Sequence, residues 1–203
     1  MAIDIERLLP ILVHAMNTEK TLLIIVSGLP CTGKTSLAKS IADHFRLPLV
    51  SKDGVKELLF DALGWKDRDW SKQLSIASYS LLYYFMEAQL AAGRPTVVEG
   101  NFDPEVHGEK FLALKRTYAY EPFQTQCITD GEVLFERYKQ RGESGRRHPG
   151  HVDAETFEEL KPILLQGRLK PIAIGGEYIE VDTTDFSRID YERLFKAVEA
   201  GLE

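Results

Sequence analysis

The segment Gly28-Leu29-Pro30-Cys31-Thr32-Gly33-Lys34-Thr35 constrains this chain more than any other feature of it. Its spacing is Gly-x-x-x-x-Gly-Lys-Thr, and it lies between two patterned stretches. Before it, Leu22-Leu23-Ile24-Ile25-Val26 is a short continuous apolar run, the pattern of a strand buried on both faces of a parallel sheet. After it, Leu37, Ile41, Ala42 and Phe45 fall on one face of a helix spanning Thr35 to Phe45. Glycines let successive backbone N–H groups turn inward, and the following helix presents its positive end, so strand, loop and helix form a cradle for phosphate. Lys34 adds a full charge for β- and γ-phosphates, and the Thr35 hydroxyl suits Mg²⁺ as an oxygen ligand. The expected ligand is a nucleoside triphosphate, ATP with Mg²⁺, held by Gly28, Pro30, Cys31, Thr32, Gly33, Lys34, Thr35 and Ser36. Cys31 is expected to contribute its backbone N–H while its thiol packs.

The rest of the chain repeats the strand–helix alternation. Strands are predicted at Leu47–Val50, Pro95–Glu99, Phe123–Ile128 and Tyr178–Val181. Between and after them helices are predicted at Val55–Leu63, Ser71–Ala92, Pro104 to about Tyr120, Glu132–Gln140, Glu155–Leu169 and Ile189–Leu202. This order implies a parallel sheet covered on both faces. Ile5, Leu8, Leu9, Leu12, Val13 and Met16 recur at helical spacing and predict an amphipathic N-terminal helix. With 203 residues and 44% hydrophobic content, the chain suits a single domain, 1–203. Its 25 basic and 31 acidic side chains leave a net charge of −6, so no global field draws it to nucleic acid or an anionic membrane. Two cysteines far apart, no secretory pattern and no apolar run near the roughly 20 residues that span a bilayer point to a cytoplasmic protein with reduced thiols.

Open α/β sheets bind ligands beyond the carboxyl ends of their strands, which places Asp53, Glu99 and Asn101 in one crevice with the loop. A carboxylate there can orient an acceptor hydroxyl and take its proton; the competing role for Asp53 is to cap the next helix. Glu99 can hold a metal-bound water or an acceptor group. The stretch from Arg137 to His148 carries four arginines, a lysine and several small residues in an otherwise acidic chain. Arg137 and Arg141 are four apart and share a helical face, one suited to stack on adenine and the other to fork onto phosphate oxygens. Gly142 and Gly145 would let residues 141–153 close as an arginine-rich lid, with Arg146 reaching the acceptor. His148 and His151 lack a third ligand at metal spacing, and Tyr79, Tyr83, Tyr84 and Phe85 read as core.

Together the loop, the Ser51-Lys52-Asp53 step, Val97-Val98-Glu99-Gly100-Asn101-Phe102 and the Arg137/Arg141 pair resemble the small P-loop kinases grouped around polynucleotide 5′-kinase, zeta-toxin-like kinases and chloramphenicol phosphotransferase. The resemblance covers Leu22 to Thr184. It implies a three-layer α/β/α sandwich with a five-stranded sheet of order 2-3-1-4-5. It also implies that Asp53 is the general base, that Arg137 and Arg141 are lid arginines, and that Val181-Asp182-Thr183-Thr184 lies near the adenine, with Thr183 a nucleotide contact. Glu99 departs from the aspartate that commonly ends the third strand. The expected activity is ATP-dependent transfer to a hydroxyl of a small molecule, with Lys34, Asp53 and Arg141 catalytic. A 5′-hydroxyl kinase for RNA or DNA ends is the alternative. A non-catalytic nucleotide sensor or GTP switch is a third reading, weakened because the strand predicted at Phe123–Ile128 ends in Cys127-Ile128-Thr129-Asp130 rather than an Asn/Thr-Lys-x-Asp segment.

Overall fold

The computed structural model describes residues 20–203; the amphipathic helix expected over Ile5–Met16 lies outside them. In chain order the elements are β1 (Leu22–Gly28), α1 (Lys34–Phe45), β2 (Leu49–Ser51), α2 (Lys52–Leu63), α3 (Arg68–Ala91), β3 (Thr96–Gly100), α4 (Pro104–Tyr118), β4 (Glu121–Ile128), α5 (Gly131–Glu143), α6 (Phe157–Leu164), β5 (Glu177–Asp182) and α7 (Tyr191–Leu202). The five strands form one sheet of order β2-β3-β1-β4-β5, parallel at every pairing.

β1 is central and wholly buried, and its alternation explains the two-sided core. Leu22, Ile24 and Val26 pack with Leu37 and Ile41 of α1 and with Leu194 and Val198 of α7. Leu23 and Ile25 point to the other face, against Leu82, Met86 and Leu90 of α3 and Phe111 and Leu114 of α4. Truncating one of these β1 side chains to alanine removes contacts on a face that cannot collapse, which costs about 2–5 kcal/mol.

Several helix boundaries differ from the sequence expectation, and three of them bear on the site. α2 begins at Lys52 rather than Val55, because Ser51 is its N-cap and its hydroxyl accepts the Gly54 N–H at 2.9 Å. Glycine suits position 54, where a Cβ would stand 2.8 Å from that same hydroxyl. α6 stops at Leu164, short of Leu169, since Pro162 supplies no N–H to the ladder and Gly167 turns the chain at φ 71°. α5 continues to Glu143, so the arginine-rich segment starts inside its last turn and then folds through short 3₁₀ turns at Pro149–His151 and Asp153–Glu155.

The parallel register brings the carboxyl ends of β1, β2 and β3 to one edge. Glu99 stands level with Val26 on one side and Ser51 on the other. The loop after β1 and the start of α2 therefore open onto the same crevice. Among the described residues no helix is long and apolar enough to cross a membrane.

Candidate active site

The loop is closed by its own atoms. Thr32 Oγ1 donates to the Leu29 carbonyl at 2.9 Å, and a Cβ on Gly28 would come within 2.7 Å of that oxygen and 2.9 Å of the Cys127 carbonyl. Cys31 and Gly33 both have left-handed backbone, at φ 66° and 78°, which reverses the chain into α1. Gly33 is the N-cap of α1 and offers no side chain to the first-turn N–H groups, so that helix end lacks the usual side-chain cap, as a phosphate-binding terminus requires. Ser36 lies exposed on the first turns of α1.

Behind the loop, the buried Lys34 ammonium donates to the Leu29 carbonyl at 3.3 Å and stands 3.8 Å from Glu99 Oε1. Thr35 Oγ1 donates to Glu99 Oε2 at 3.2 Å. Glu99 is 1% exposed; burial raises its pKa, and Lys34 and the Thr35 hydrogen bond only partly oppose this. A hydroxyl and a carboxylate oxygen side by side are a donor set of the hard type that Mg²⁺ takes along with phosphate oxygens and water. The Cys31 thiol is also pushed up by burial, against the pull of Arg141, Lys34 and Arg147. It stays a thiol and packs on the cluster of Leu29, Leu134, Phe135, Tyr138 and Leu164.

A cavity of about 560 Å³ opens beside the loop. Leu29 and Pro30 form one part of its wall, and Asp53 and Asn101 form another. Lys52, Lys56, Arg68, Lys72, Arg141 and Arg147 also line it, against the carboxylates Asp53, Asp103 and Asp153. Asp53 sits in the first turn of α2, not in a loop past β2, and the capping role belongs to Ser51. Its carboxylate accepts from Lys52 at 3.1 Å through Oδ1 and pairs with Arg147 through Oδ2. Burial pushes the Asp53 pKa up, but Lys52, Arg147, Lys34 and His151 outweigh it and hold the group well below the ordinary carboxylate range. About a third of its side chain, 32%, still reaches solvent.

Asp153 joins this network, accepting from Arg147 at 3.1 Å and pairing with Arg141 at 3.0 Å. Arg147 is the residue of its dipeptide that faces the cavity, and Arg146 is exposed outside it. Gly145, at φ 64°, turns the chain so that position 147 comes inward. His151 is buried on Glu57 at 2.9 Å, and its pKa is strongly lowered by burial first and then by Arg147. Among the described residues no group of three His, Cys, Asp or Glu is placed to hold a metal.

Arg137 projects from α5 toward Thr183, the residue just past β5. Arg137 donates to the carbonyls of Thr183 and Thr184 at 2.8 and 2.7 Å, and its guanidinium lies 4.1 Å from the Phe186 ring centre. That ring lies so close to Gly33 that a Cβ there would strike it. Thr183 is fully buried: its hydroxyl meets Thr129 Oγ1 at 2.6 Å and the Ile128 carbonyl at 2.9 Å, and its N–H donates to that same carbonyl at 2.8 Å. Sequence reasoning did not single out Arg147, Asp153, Lys56 or Phe186. Of these only Arg147 carried a signal, as one of two adjacent arginines after a glycine.

A protein-family model described as an AAA domain matches residues 23–163. The chain belongs to this family. This AAA-domain protein is 35% identical to a candidate kinase from Chloroflexus aurantiacus J-10-fl, with 92% of this chain and 100% of that one aligned at a TM-score of 0.83. A sugar kinase from Janibacter sp. HTCC2649 shares the fold at 16% identity, over 91% of this chain and 94% of that one, with a TM-score of 0.50. No curated protein matches the chain. The sheet order and its helical layers are those of the P-loop kinases, a nucleotide-binding fold, as the resemblance implied.

Proposed function

We propose that this AAA-domain protein is an ATP- and Mg²⁺-dependent kinase that phosphorylates a hydroxyl of a small molecule. The observation that carries the reading is one cavity shared by the loop residues Leu29 and Pro30, the ionised Asp53, Asn101 and the arginines 141 and 147. In this reading α1's N-terminus and Lys34 hold the triphosphate, with Gly28 to Ser36 around it and Arg137 and Thr183 at the base end. Mg²⁺ would be held by Thr35 and, directly or through water, by Glu99, where it supplies charge neutralisation to the phosphates. Asp53 orients the acceptor hydroxyl and takes its proton. The acceptor oxygen forms the new P–O bond as the bond to the departing ADP oxygen breaks. Arg141 and Arg147 neutralise the charge that spreads over the transferred group, and the segment around Gly142 and Gly145 acts as a lid that excludes water. Asn101 and the α2 and α3 side chains position the acceptor.

A transfer screen with γ-labelled ATP and Mg²⁺ over small hydroxyl compounds and 5′-hydroxyl oligonucleotides tests it. Label on a small molecule is the expected result. Label confined to oligonucleotides would move the acceptor to nucleic-acid ends, and a protein that fails to bind ATP at all would sink the reading.

A further inference from the structure

The cavity's charge is out of balance with the chain. Six cations and three carboxylates line it, an excess of 6 − 3 = +3 in a protein of net charge −6. The three carboxylates are also committed. Asp53 is taken by Lys52 and Arg147, Asp153 by Arg147 and Arg141, and Asp103 caps α4 by accepting the Glu105 N–H at 2.9 Å. Arg68 is answered from outside the lining by Glu159 at 2.7 Å. Lys56 and Lys72 remain; neither forms an ion pair among the described residues, although Lys72 shares the field of Glu159 with Arg68.

Lys56 is the more telling. It is 4% exposed, one helical turn beyond Lys52 on the same face of α2, and its ammonium donates to the Ser71 hydroxyl of α3 at 2.8 Å. The ammonium also lies over the face of the Phe60 ring, 5.2 Å from the ring centre, so of its three donors only one has a hydrogen-bond acceptor among the described residues, a costly way to bury a charge. Burial and then the Lys52 charge push its pKa down to about 7, and the Asp53 carboxylate, itself paired with Lys52 and Arg147, only partly opposes them. Lys72 follows Ser71 on α3. Neither α2 nor α3 carries a residue of the phosphate loop, so these two lysines are surplus to the triphosphate's needs.

Resting on the kinase reading, we infer that the acceptor bears an anionic group, a phosphate or a carboxylate, in addition to its hydroxyl, and that Lys56 and Lys72 receive that group. The anion supplies the charge that Lys56 lacks and fixes the distance from anion to reacting hydroxyl.

Calorimetric titration of inorganic phosphate and of malonate into the full chain, preloaded with Mg²⁺ and a non-hydrolysable ATP analogue, tests this with the phosphate loop filled. Saturable binding is expected, weaker on the order of tenfold in Lys56→Met and several-fold in the exposed Lys72→Gln variant. Binding of phosphate alone assigns a phosphorylated acceptor, binding of malonate alone a carboxylate, and binding of both the shared anionic class. No saturable binding of either anion, or equal binding by the native chain and both variants, overturns the inference and leaves the kinase reading standing. If the analogue itself does not bind, both fall.

Discussion

The loop wall and the α2–α3 wall face one cavity, yet they are held in opposite ways. The loop is made by backbone: eight contiguous residues, two left-handed positions, and a helix end without a side-chain cap. Its charged partners, Lys34 and Glu99, are buried and matched to each other. The other wall is made by side chains drawn from α2, α3, the segment after β3, the end of α5 and the stretch that follows it, and its cations outnumber its free acids. Backbone recognition suits a ligand that is the same in every reaction, whereas a wall of separate side chains can be changed one at a time. In the kinase reading proposed above, the first therefore sets the phosphoryl donor and the second sets the acceptor.

Variants that separate the two walls follow from this, the largest effect first. Asp53→Asn keeps the shape of the acceptor wall and removes its base, so kcat falls on the order of 10²–10⁴-fold while ATP affinity stays unchanged by calorimetry. Native turnover by that variant would take the base assignment away. Lys34→Met strikes the donor wall. A fall of about 10²–10³-fold in kcat, with weaker ATP binding in the same titration, is expected.

The pair Arg147→Ala and Arg146→Ala sharpens the contrast between cavity and rim. The first lowers kcat/KM on the order of tenfold, and the second stays within about twofold. Arg147 is also one of the cations that depress Asp53, so its loss lets the Asp53 pKa rise and moves the acid limb of the kcat/KM profile to higher pH. Equal effects from the two arginines would mean that Gly145 does not choose between them. Malonate binding supplies a pH test of the acceptor wall. Lys56 is faced by Lys52 and Asp53 on α2, by Arg68 and Ser71 on α3, and by Arg147 after α5, and its ammonium loses its proton as pH rises through about 7. Binding should weaken between pH 6 and 8.5. The smallest change expected is Ser51→Ala, which removes the cap of α2 and lowers stability by about 1 kcal/mol in a denaturant melt.

The donor wall was legible in the sequence because its geometry is local. Gly28 to Thr35 carries its own turn, and the run at Leu22–Val26 announces the strand that must precede it. The sheet order came from the resemblance and agrees with the structure. Asp53 faces the expected crevice but stands on another element, because the helix expected from Val55 already starts at Lys52, where Ser51 caps it by accepting the Gly54 N–H. The acceptor wall was largely illegible. Whether residue 146 or 147 faces inward depends on one left-handed glycine, and the burial of Lys56 depends on how α2 packs on α3. Phe186 meets Gly33 and Arg137 across long stretches of chain, and nothing in its own neighbourhood signals that.

Ser51 is at once the last residue of β2 and the cap of α2, so no linker separates the sheet from the helix that carries Asp53. A single residue inserted there would rotate α2 by about 100° and carry the carboxylate, Lys52 and Lys56 away together. After α5, by contrast, the five residues Ser144 to His148 separate the helix from the 3₁₀ turn at Pro149–His151. Lineages that alter chain length near this cavity should thus do so after α5, where a change of reach retunes the arginines, and should leave the junction at Ser51 at fixed length.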